Sequence, residues 1–564
     1  MKLLISLLLI FLLGGPALSQ EFFLDESAKL FKEGYHHFKN ARYSASLKIF
    51  QSLVSDESFP LVDYAQYYIA ESYAGLKDLL RANLERENLA RRYPYSILLQ
   101  PIEKIEKKFK VIQETDGATP LARQFLYNPS FRLGYYNYSR RRYRTAIRYF
   151  SKCINYGGKL AQAAYFYRGF AYGKSGNLSA ALNSFRKLTK YYPKSALADD
   201  AQFWIGYYLE INGEEERASR EYRLVVEHFP EGDYVDDALW RMGRLYYKDG
   251  KYSESQAAFS RAATEFPPGD KTPECIYFRA KASEKLGLRE EAFRNYQILI
   301  ERFPHSYYAY RAQEKVGIKS TLPEVNYPEI QNIHLSKYQA LMILGLYEEA
   351  LAEAVAAQLE TEGEEADLAD LAVASAYHAL GLYREGSLLA NSVIKKGNSI
   401  SHLPEAWKIA YPLGYFPYVK ESAKEFGVDP YLILAVMREE SHFGEVVVSR
   451  ARAHGLMQII PRTGRLIAQE LKINPYSTTR LFEPKLNIRM GVYYLSNLFK
   501  SFSDEILVLA GYNGGPNKVK KWLKKMNEFD ADEFVESIPL LETRYYVKKV
   551  IASYFEYKRL YPEL

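Results

Sequence analysis

Cysteine is scarce in this 564-residue chain, and no metal-binding motif accompanies it. The two cysteines are Cys153 and Cys275. A single disulfide would constrain little of a chain this long, and free cysteine is commonly buried, so we expect Cys153 to be a packing residue. The sequence has no HExxH or CxxC motif and no histidine cluster of ligand spacing. It therefore predicts no metal site.

Long apolar runs are also absent beyond the N-terminus. There, Lys2 precedes an apolar run over residues 3–13, and the small residues Ala17 and Ser19 follow. This pattern predicts a secretory signal peptide over residues 1–19, cleaved after Ser19. The run is short for the alternative, an uncleaved membrane anchor, since a span takes about 20 apolar residues. No cysteine follows the cleavage site, so a lipoprotein is not indicated, and we expect no transmembrane segment in the mature chain.

The composition is ordinary for a globular protein, with 48% apolar and 25% charged residues, and the length predicts about two to four domains. The net charge of +7 suits an acidic partner but does not choose between nucleic acid, anionic lipid and anionic cell-wall polymer. Export argues against nucleic acid. Among the 50 tyrosines, most should be packing residues, and some are suited to line a groove for a polar polymer such as a glycan.

A 37-residue repeat runs through the N-terminal half. Aromatic–proline pairs recur at this spacing, at Tyr192-Pro193, Phe229-Pro230, Phe266-Pro267 and Phe303-Pro304. Three other kinds of residue recur at the same spacing. Small residues lie at Gly169, Gly206, Gly243 and Ala280, turn glycines at Gly176, Gly213, Gly250 and Gly287, and aromatic residues at Phe185, Tyr222, Phe259 and Tyr296. We interpret each unit as two helices joined by a glycine turn, with proline ending the second helix. The pattern resembles the tetratricopeptide repeat, stretched from its usual length of about 34 residues.

The repeat frame also accounts for Cys153, which falls where the other units have a buried apolar residue. Related helical patterns continue to about residue 395, after a proline-containing break around 322–328. The sequence thus predicts a mainly all-α chain: a tetratricopeptide-like superhelix over 20–320, a helical linker domain over 321–412 and a further domain over 413–564. A superhelix presents a concave surface that binds protein partners or guides substrate, and the alternative is a structural spacer.

The third domain begins with a helix that ends in two acidic residues. Asp429 and Pro430 are typical of an N-cap and a first helical position, and the apolar residues 431–437 indicate a helix buried on nearly all sides. Glu439 and Glu440 follow at once. Burial would raise the pKa of such a carboxyl and suit it to protonate a glycosidic oxygen. Periodicity does not choose between the two, and the alternative is that both are solvated.

Four blocks in order carry a family resemblance. They are Glu440-Ser441, Gly455-Leu456-Met457-Gln458, the segment 510–516 and the segment 536–547. Together they resemble the soluble lytic murein transglycosylases, whose blocks read roughly ES, GLMQ, AYNAGP and IPxxETxxYV. The catalytic match covers about residues 413–560 and implies a goose-type-lysozyme-like fold. The upstream helical array is similar to that of the family's periplasmic enzyme with a large helical ring.

The resemblance implies specific site residues. The family's catalytic glutamate directly precedes serine, which implies Glu440, and not Glu439, as the catalytic acid/base. Tyr512 is expected to support this carboxyl, and Met457 to form a wall of the groove. Substrate-contacting positions are implied for Ser441, Ser449, Met457, Gln458, Tyr512, Asn513, Glu542 and Tyr546. The chain departs from the family at Arg450 and Arg452, where proline and glycine are usual, and at Gly511 and Gly514, where alanine is usual; we therefore expect a more basic loop of different shape.

The implied reaction is cleavage of the β-1,4 bond between N-acetylmuramic acid and N-acetylglucosamine in peptidoglycan glycan strands, in the periplasm and without a metal or organic cofactor. The 6-hydroxyl of the muramyl sugar attacks in place of water, leaving a 1,6-anhydromuramyl end. One alternative is a muramidase that uses water. Another is an exported, non-catalytic repeat scaffold that binds the cell wall.

A run of lysines follows the third block, at Lys518, Lys520, Lys521, Lys524 and Lys525. Exposed lysine is the common state of this residue, so a solvated helix face is the simpler interpretation. The other is attraction to the anionic cell wall or a membrane surface.

Overall fold

The structure is a computed structural model that describes residues 26–56, 58–94, 96–99, 124–125, 128–265, 271–318, 330–524, 526 and 529–564. The predicted signal peptide, the Phe266-Pro267 pair, the break around 322–328 and Lys525 lie outside the described residues. Within those ranges the chain is helical, with isolated β-bridges at Val448–His454 and His454–Ile459. In the same ranges, no helix is both long and apolar enough to cross a membrane.

The helices follow one another in pairs through most of the chain. The first group is α1 Glu26–Lys39, α2 Tyr43–Leu53, α3 Val62–Gly75, α4 Leu79–Arg92 and the short 3-10 helix η1 Ile97–Leu99. The second group is α5 Pro129–Ser139, α6 Tyr143–Ile154, α7 Gly158–Lys174, α8 Leu178–Tyr191, α9 Ala198–Ile211, α10 Glu215–His228, α11 Val235–Lys248, α12 Tyr252–Thr264, α13 Thr272–Lys285, α14 Arg289–Arg302 and α15 Tyr307–Val316.

The later helices form two further groups. The third group is α16 Ile333–Leu344, α17 Tyr347–Glu360, α18 Gly363–Ala379, α19 Tyr383–Ile394, η2 Ser399–His402 and α20 Pro404–Ala410. The fourth group is α21 Phe416–Phe426, α22 Pro430–Ser441, α23 Pro461–Glu470, η3 Thr478–Phe482, α24 Pro484–Phe499, α25 Glu505–Gly514, α26 Pro516–Leu523, α27 Ala531–Ser537 and α28 Leu541–Leu560. The prediction of a mainly all-α chain is confirmed.

The chain divides into two compact units, one of residues 1–113 with 322–564 and the other of residues 114–321. In the second unit, the predicted repeat chemistry is visible in the packing. A Cβ placed on Gly169 would lie 2.5 Å from the Phe185 ring, and one on Gly206 would lie 2.7 Å from the Tyr222 ring. Because both rings are fully buried, the small residue is what admits the aromatic side chain.

Two details of the repeat interpretation are also borne out. Gly176, in the turn between α7 and α8, has φ +82°, a left-handed conformation that glycine adopts without strain. Helix α8 ends at Tyr191, two residues before Pro193. Cys153 and Cys275 are free and buried, and burial raises the pKa of the Cys153 thiol to about 11. The prediction of a packing cysteine is therefore confirmed.

The fourth helix group surrounds α22. The Asp429 carboxylate caps this helix by accepting a hydrogen bond from the Tyr431 backbone N–H at 2.8 Å. Residues 432–437 are at most 1% exposed, which confirms the predicted buried helix. Helix α22 packs against α28 and α21, α28 packs against α25, and α25 packs against α24 and α26. This arrangement carries the end of α22, with its two glutamates, into the middle of the domain.

Candidate active site

Helix α22 ends abruptly, and its last turn points two glutamates in different directions. His442 and Phe443 both adopt positive φ, at +49° and +63°, which turns the chain out of the helix. Successive residues of a helix are rotated by about 100° around its axis, so Glu439 and Glu440 project from different faces. Each glutamate therefore meets a different set of neighbours.

Glu439 lies in a buried ion-pair network. Its carboxylate pairs with Arg438 and accepts a hydrogen bond from the Ser553 hydroxyl at 2.7 Å. The Arg438 guanidinium also donates to the Ala410 carbonyl at 3.1 Å and to the Asn391 side chain at 2.7 Å. Burial opposes ionisation of Glu439, but the charge of Arg438 and the Ser553 hydrogen bond outweigh it and lower the pKa of this carboxyl. Glu439 is consequently an anion with a structural role.

Glu440 has the opposite environment. Burial raises its pKa to about 7, and the negative charges of Glu439 and Glu542 add to the rise. The Tyr546 hydroxyl opposes it, since this group stabilises the anion. The Glu440 residue is still partly accessible to solvent. A carboxyl that holds its proton near neutral pH and is open to a ligand is suited to general acid catalysis.

Two tyrosines, the partly buried Tyr512 and the buried Tyr546, interact electrostatically with the Glu440 carboxyl. Burial, and then the charge of Glu440, raise the pKa of both Tyr512 and Tyr546 well above the ordinary range. The Tyr512 hydroxyl donates to the Met457 carbonyl at 2.7 Å, and its ring lies against Tyr494 with centroids 5.4 Å apart. The buried Tyr546 hydroxyl makes no hydrogen bond of standard geometry within the described residues. Of the two tyrosine hydroxyls, that of Tyr546 therefore remains available to the Glu440 carboxyl.

Asn487, on α24, organises the segment that contains the second sequence block, and sequence reasoning missed it. Its side-chain carbonyl accepts from the Met457 N–H at 2.8 Å, while its amide donates to the carbonyls of His454 and Leu481 at 2.9 and 2.7 Å. A Cβ on Gly455 would lie 2.5 Å from this amide and 2.3 Å from the Leu481 carbonyl. In the sequence, the only signal is an asparagine between two apolar residues, Leu486 and Ile488. In the structure this asparagine is fully buried.

Three predicted substrate contacts, Ser441, Met457 and Gln458, are buried within this part of the site. The Ser441 hydroxyl donates to the Leu456 carbonyl at 2.8 Å, so it joins α22 to the second block. The Gln458 amide donates to the carbonyls of Val447 and Gly455 at 3.0 and 2.8 Å, while its side-chain carbonyl, also buried, has no partner in the described residues.

The prediction that Met457 forms a wall of the groove needs correction. The residue is fully buried, and a Cβ on Gly491 would lie 2.3 Å from its sulfur. The side chain thus packs against α24, and the part that Met457 shows to the site is its backbone carbonyl, which holds Tyr512.

The loop after α22 is basic, as the sequence predicted. Ser449 accepts a hydrogen bond from the Ala453 N–H at 3.0 Å, closing a turn from which Arg450 and Arg452 project into solvent. Arg452 has φ +61°. This left-handed conformation favours glycine, which is the residue that relatives of the resembled family usually have here, so Arg452 keeps the backbone shape at some cost in strain.

The fourth sequence block contributes residues to the site from the first turn of α28. The Thr543 hydroxyl donates to the Asn513 side chain at 2.7 Å, which ties α28 to the end of α25. A Cβ on Gly514 would lie 3.2 Å from both Thr543 and Trp522, so the glycine at this position relieves a tight contact. Glu542 is exposed beside this junction, near enough for its charge to act on Glu440.

A buried ion pair connects α28 to the preceding helix, α27. Glu536 pairs with Lys548 at 2.5 Å, and Arg544 donates to the Ile538 carbonyl at 2.7 Å. In the part of the chain that the structure describes, no group of histidine, cysteine, aspartate and glutamate side chains is arranged to hold a metal ion.

Residues 417–535 match the family model of the Transglycosylase SLT domain. The chain carries a transglycosylase SLT domain. The match includes Glu440, the second block and the third block, while the fourth block lies beyond its end. Residues 163–195 and 237–268 match a tetratricopeptide repeat, which confirms the interpretation of the 37-residue pattern.

Curated relatives share a segment of similar length. A putative soluble lytic murein transglycosylase of Haemophilus influenzae is 34% identical over 165 residues, which are 28% of this chain and 28% of the relative. The soluble lytic murein transglycosylase of Escherichia coli is 37% identical over 166 residues, which are 28% of this chain and 25% of the relative. The match thus spans less than a third of the length of either relative.

Among solved structures, an inactive glutamate-to-glutamine mutant of the lytic transglycosylase Slt from Pseudomonas aeruginosa resembles the chain over most of its length. It is 19% identical, the alignment covers 93% of this chain and 91% of that one, and the TM-score is 0.55. At this identity the similarity shows the fold alone.

Proposed function

We propose that this protein is a peptidoglycan lytic transglycosylase and that Glu440 is its single catalytic acid/base. The observation that carries the proposal is the contrast between two adjacent carboxyls, of which Glu440 alone combines a pKa of about 7 with access to solvent. The SLT domain and the names of the curated relatives support the substrate class, which is the glycan strand of peptidoglycan.

In the proposed reaction, the Glu440 carboxyl protonates the glycosidic oxygen that leaves the muramyl C1. Its anion then accepts the proton of the muramyl 6-hydroxyl as that oxygen bonds to C1, which closes the 1,6-anhydro ring. The 6-hydroxyl is held on the same sugar, so it is favoured over water by proximity. Tyr546 donates to the carboxylate in the interval when Glu440 is charged.

The neighbouring carboxylates support a mechanism with one glutamate. Glycosidases that use a carboxylate pair place a second anion against the sugar ring. Glu439 is instead an ion-paired group, because Arg438 and Ser553 both bond to its Oε1 atom, and it projects from a different face of α22 than Glu440. Glu542 is exposed at the start of α28, where we assign it to hold the sugar together with Asn513, Ser449 and Gln458. Ser441 and Asn487 are assigned as positioning residues.

Product analysis tests this function. Purified peptidoglycan sacculi would be digested by the wild type and by Glu440→Gln, and the muropeptides identified by mass spectrometry. We expect 1,6-anhydromuramyl products from the wild type and none from Glu440→Gln. Products that have gained a water would favour the muramidase. Equal digestion by both proteins would remove Glu440 from the mechanism, and no digestion by either would favour the non-catalytic scaffold.

We also propose that the enzyme acts in the periplasm after export, with residues 413–564 as the catalytic domain and the helices of 20–320 and 321–412 as a scaffold that guides substrate or binds protein partners. Arg438 crosses the boundary at residue 412 through its bonds to Ala410 and Asn391, so we expect the catalytic domain to depend on the helices before it.

A further inference from the structure

The SLT domain has an exposed surface that mixes apolar and basic side chains, none of which is assigned a role in the proposed reaction. Four apolar residues on it are largely open to solvent: Val446, Val448, Ile460 and Leu466 are 76%, 50%, 47% and 54% exposed. Four arginines accompany them, namely Arg450, Arg452, Arg462 and Arg465. We call these eight residues the valine–arginine surface.

Backbone pairing makes this surface continuous. The β-bridges connect Val448 to His454 and His454 to Ile459, so the segment before Ala453 lies beside the strand-like residues that lead into α23. Ile460 follows directly, and Arg462, Arg465 and Leu466 project from the exposed face of the first turns of α23. Residues three and four apart on a helix share a face, so these three side chains point the same way.

The arginines of the surface are not neutralised by the protein. Each is exposed, and none of the four has an ion pair with any residue that the structure describes. Two acidic residues flank these segments in the chain: Glu445, which accepts a hydrogen bond from the Tyr415 hydroxyl at 2.7 Å, and Glu470 at the end of α23. The surface therefore keeps a positive charge at neutral pH.

The combination of exposed apolar and arginine side chains favours one kind of partner. Arginine matches the phosphate of a lipid headgroup in charge and geometry. Exposed valine, isoleucine and leucine gain nothing from a fully hydrated polyanion, whereas the boundary between headgroups and acyl chains accepts apolar and basic side chains together. We propose that the valine–arginine surface binds peripherally to an anionic phospholipid bilayer. The proposal is independent of the reaction at Glu440 and goes beyond it.

The lysine face of α26 provides a matched comparison within the same domain. Lys518, Lys520, Lys521 and Lys524 are exposed, but the neighbouring Val519 is fully buried, so this face is basic without being apolar. A partner attracted by charge alone would depend on the lysines as much as on the arginines. A bilayer that the valines enter would depend on the valine–arginine surface much more.

Vesicle co-sedimentation of the full-length protein tests the proposal. Vesicles of phosphatidylcholine with and without phosphatidylglycerol would be compared for the wild type, Val446→Ser/Val448→Ser, Arg450→Gln/Arg452→Gln and the control Lys520→Gln/Lys521→Gln. We expect the wild type to bind the phosphatidylglycerol vesicles, each surface pair to weaken binding by about tenfold, and the lysine pair by less than about twofold.

Several outcomes would overturn the proposal. These are no vesicle binding by the wild type at low salt, equal losses in the lysine and arginine pairs, or an effect of the surface pairs on the pelleting of purified sacculi and not of vesicles. All substitutions are at exposed positions, and thermal unfolding would verify that each variant is folded. Digestion of solubilised glycan strands, measured in parallel, separates this test from that of the proposed function, because vesicle binding does not require an active Glu440.

Discussion

The two sides of the last turn of α22 show how neighbouring residues of the same type acquire different chemistry. On one side, Arg438 and Ser553 surround Glu439 with positive charge and a hydroxyl donor and lower the pKa of its carboxyl. On the other, burial and two negative charges raise the pKa of Glu440 to about 7. Environments that separate the pKa values of two carboxyls are what assign their roles, and here the difference arises within one peptide unit.

The largest effect is expected on activity. Glu440→Gln should lower kcat/KM on purified sacculi by about 10²–10⁴-fold, because the amide has no proton to give to the leaving oxygen. Asp200→Asn is a matched control. Burial and the charges of Asp199 and Asp233 raise the pKa of Asp200, on α9 in the other unit, to about 7 as well, yet it has no place in the site. A similar loss of activity in the control would show that raised pKa values here do not identify the catalytic group.

Glu439→Gln should have its main effect on stability. The substitution leaves Arg438 buried without its anion, which costs about 3–5 kcal/mol in the free energy of unfolding. Denaturant unfolding measures the loss, with Ser553→Ala as the milder comparison, since it removes one hydrogen bond to the same carboxylate and should cost about 1 kcal/mol. A Glu439 variant as stable as the Ser553 variant would mean that the ion pair is dispensable.

The pH dependence of stability should separate the two glutamates further. The pKa of Glu440 is higher in the folded protein, about 7, than its ordinary 4.5, so the cost of burying its charge is absent at pH 4, grows as the pH rises from about 4.5 to 7, and is constant above that. Glu440→Gln should then be more stable than the wild type by about 1–3 kcal/mol at pH 8 and equally stable at pH 4. Unfolding measured at both values checks this, and a constant difference between the proteins would contradict it.

The smallest effect concerns Tyr546. Its hydroxyl lowers the pKa of Glu440, so Tyr546→Phe should raise that pKa and move the alkaline limb of the kcat/KM profile to higher pH. A shift of about half a pH unit is expected for one hydrogen bond of this kind. Movement of the limb to lower pH would mean that the hydroxyl stabilises the protonated carboxyl.

The sequence was sufficient for the repeats and for the buried helix, because regular periodicity and a run of apolar residues express themselves locally. The two glutamates could not be distinguished in this way. Their difference depends on Asn391, Ala410 and Ser553, which are distant in the chain, and only the family resemblance selected Glu440.

The residues that position the site but have no role in the proposed reaction were the hardest to predict. Asn487 bonds to three backbone groups, none of them within five positions of it. Met457 was expected in the groove from the family resemblance, and the sequence does not disclose that its side chain is buried. The role of Arg452 became clear only from its φ of +61°, a backbone property that a lone substitution in the sequence does not disclose.

The central claim is that Glu440, and not Glu439, holds a proton near neutral pH. It is tested most directly by a ¹³C NMR titration of the full-length protein labelled at the glutamate side-chain carboxyl, a label that Asp200 does not carry. We expect one resonance to titrate near pH 7 in the wild type and in Ser553→Ala, and to be absent from Glu440→Gln. A resonance that still titrates near pH 7 in Glu440→Gln would contradict the account.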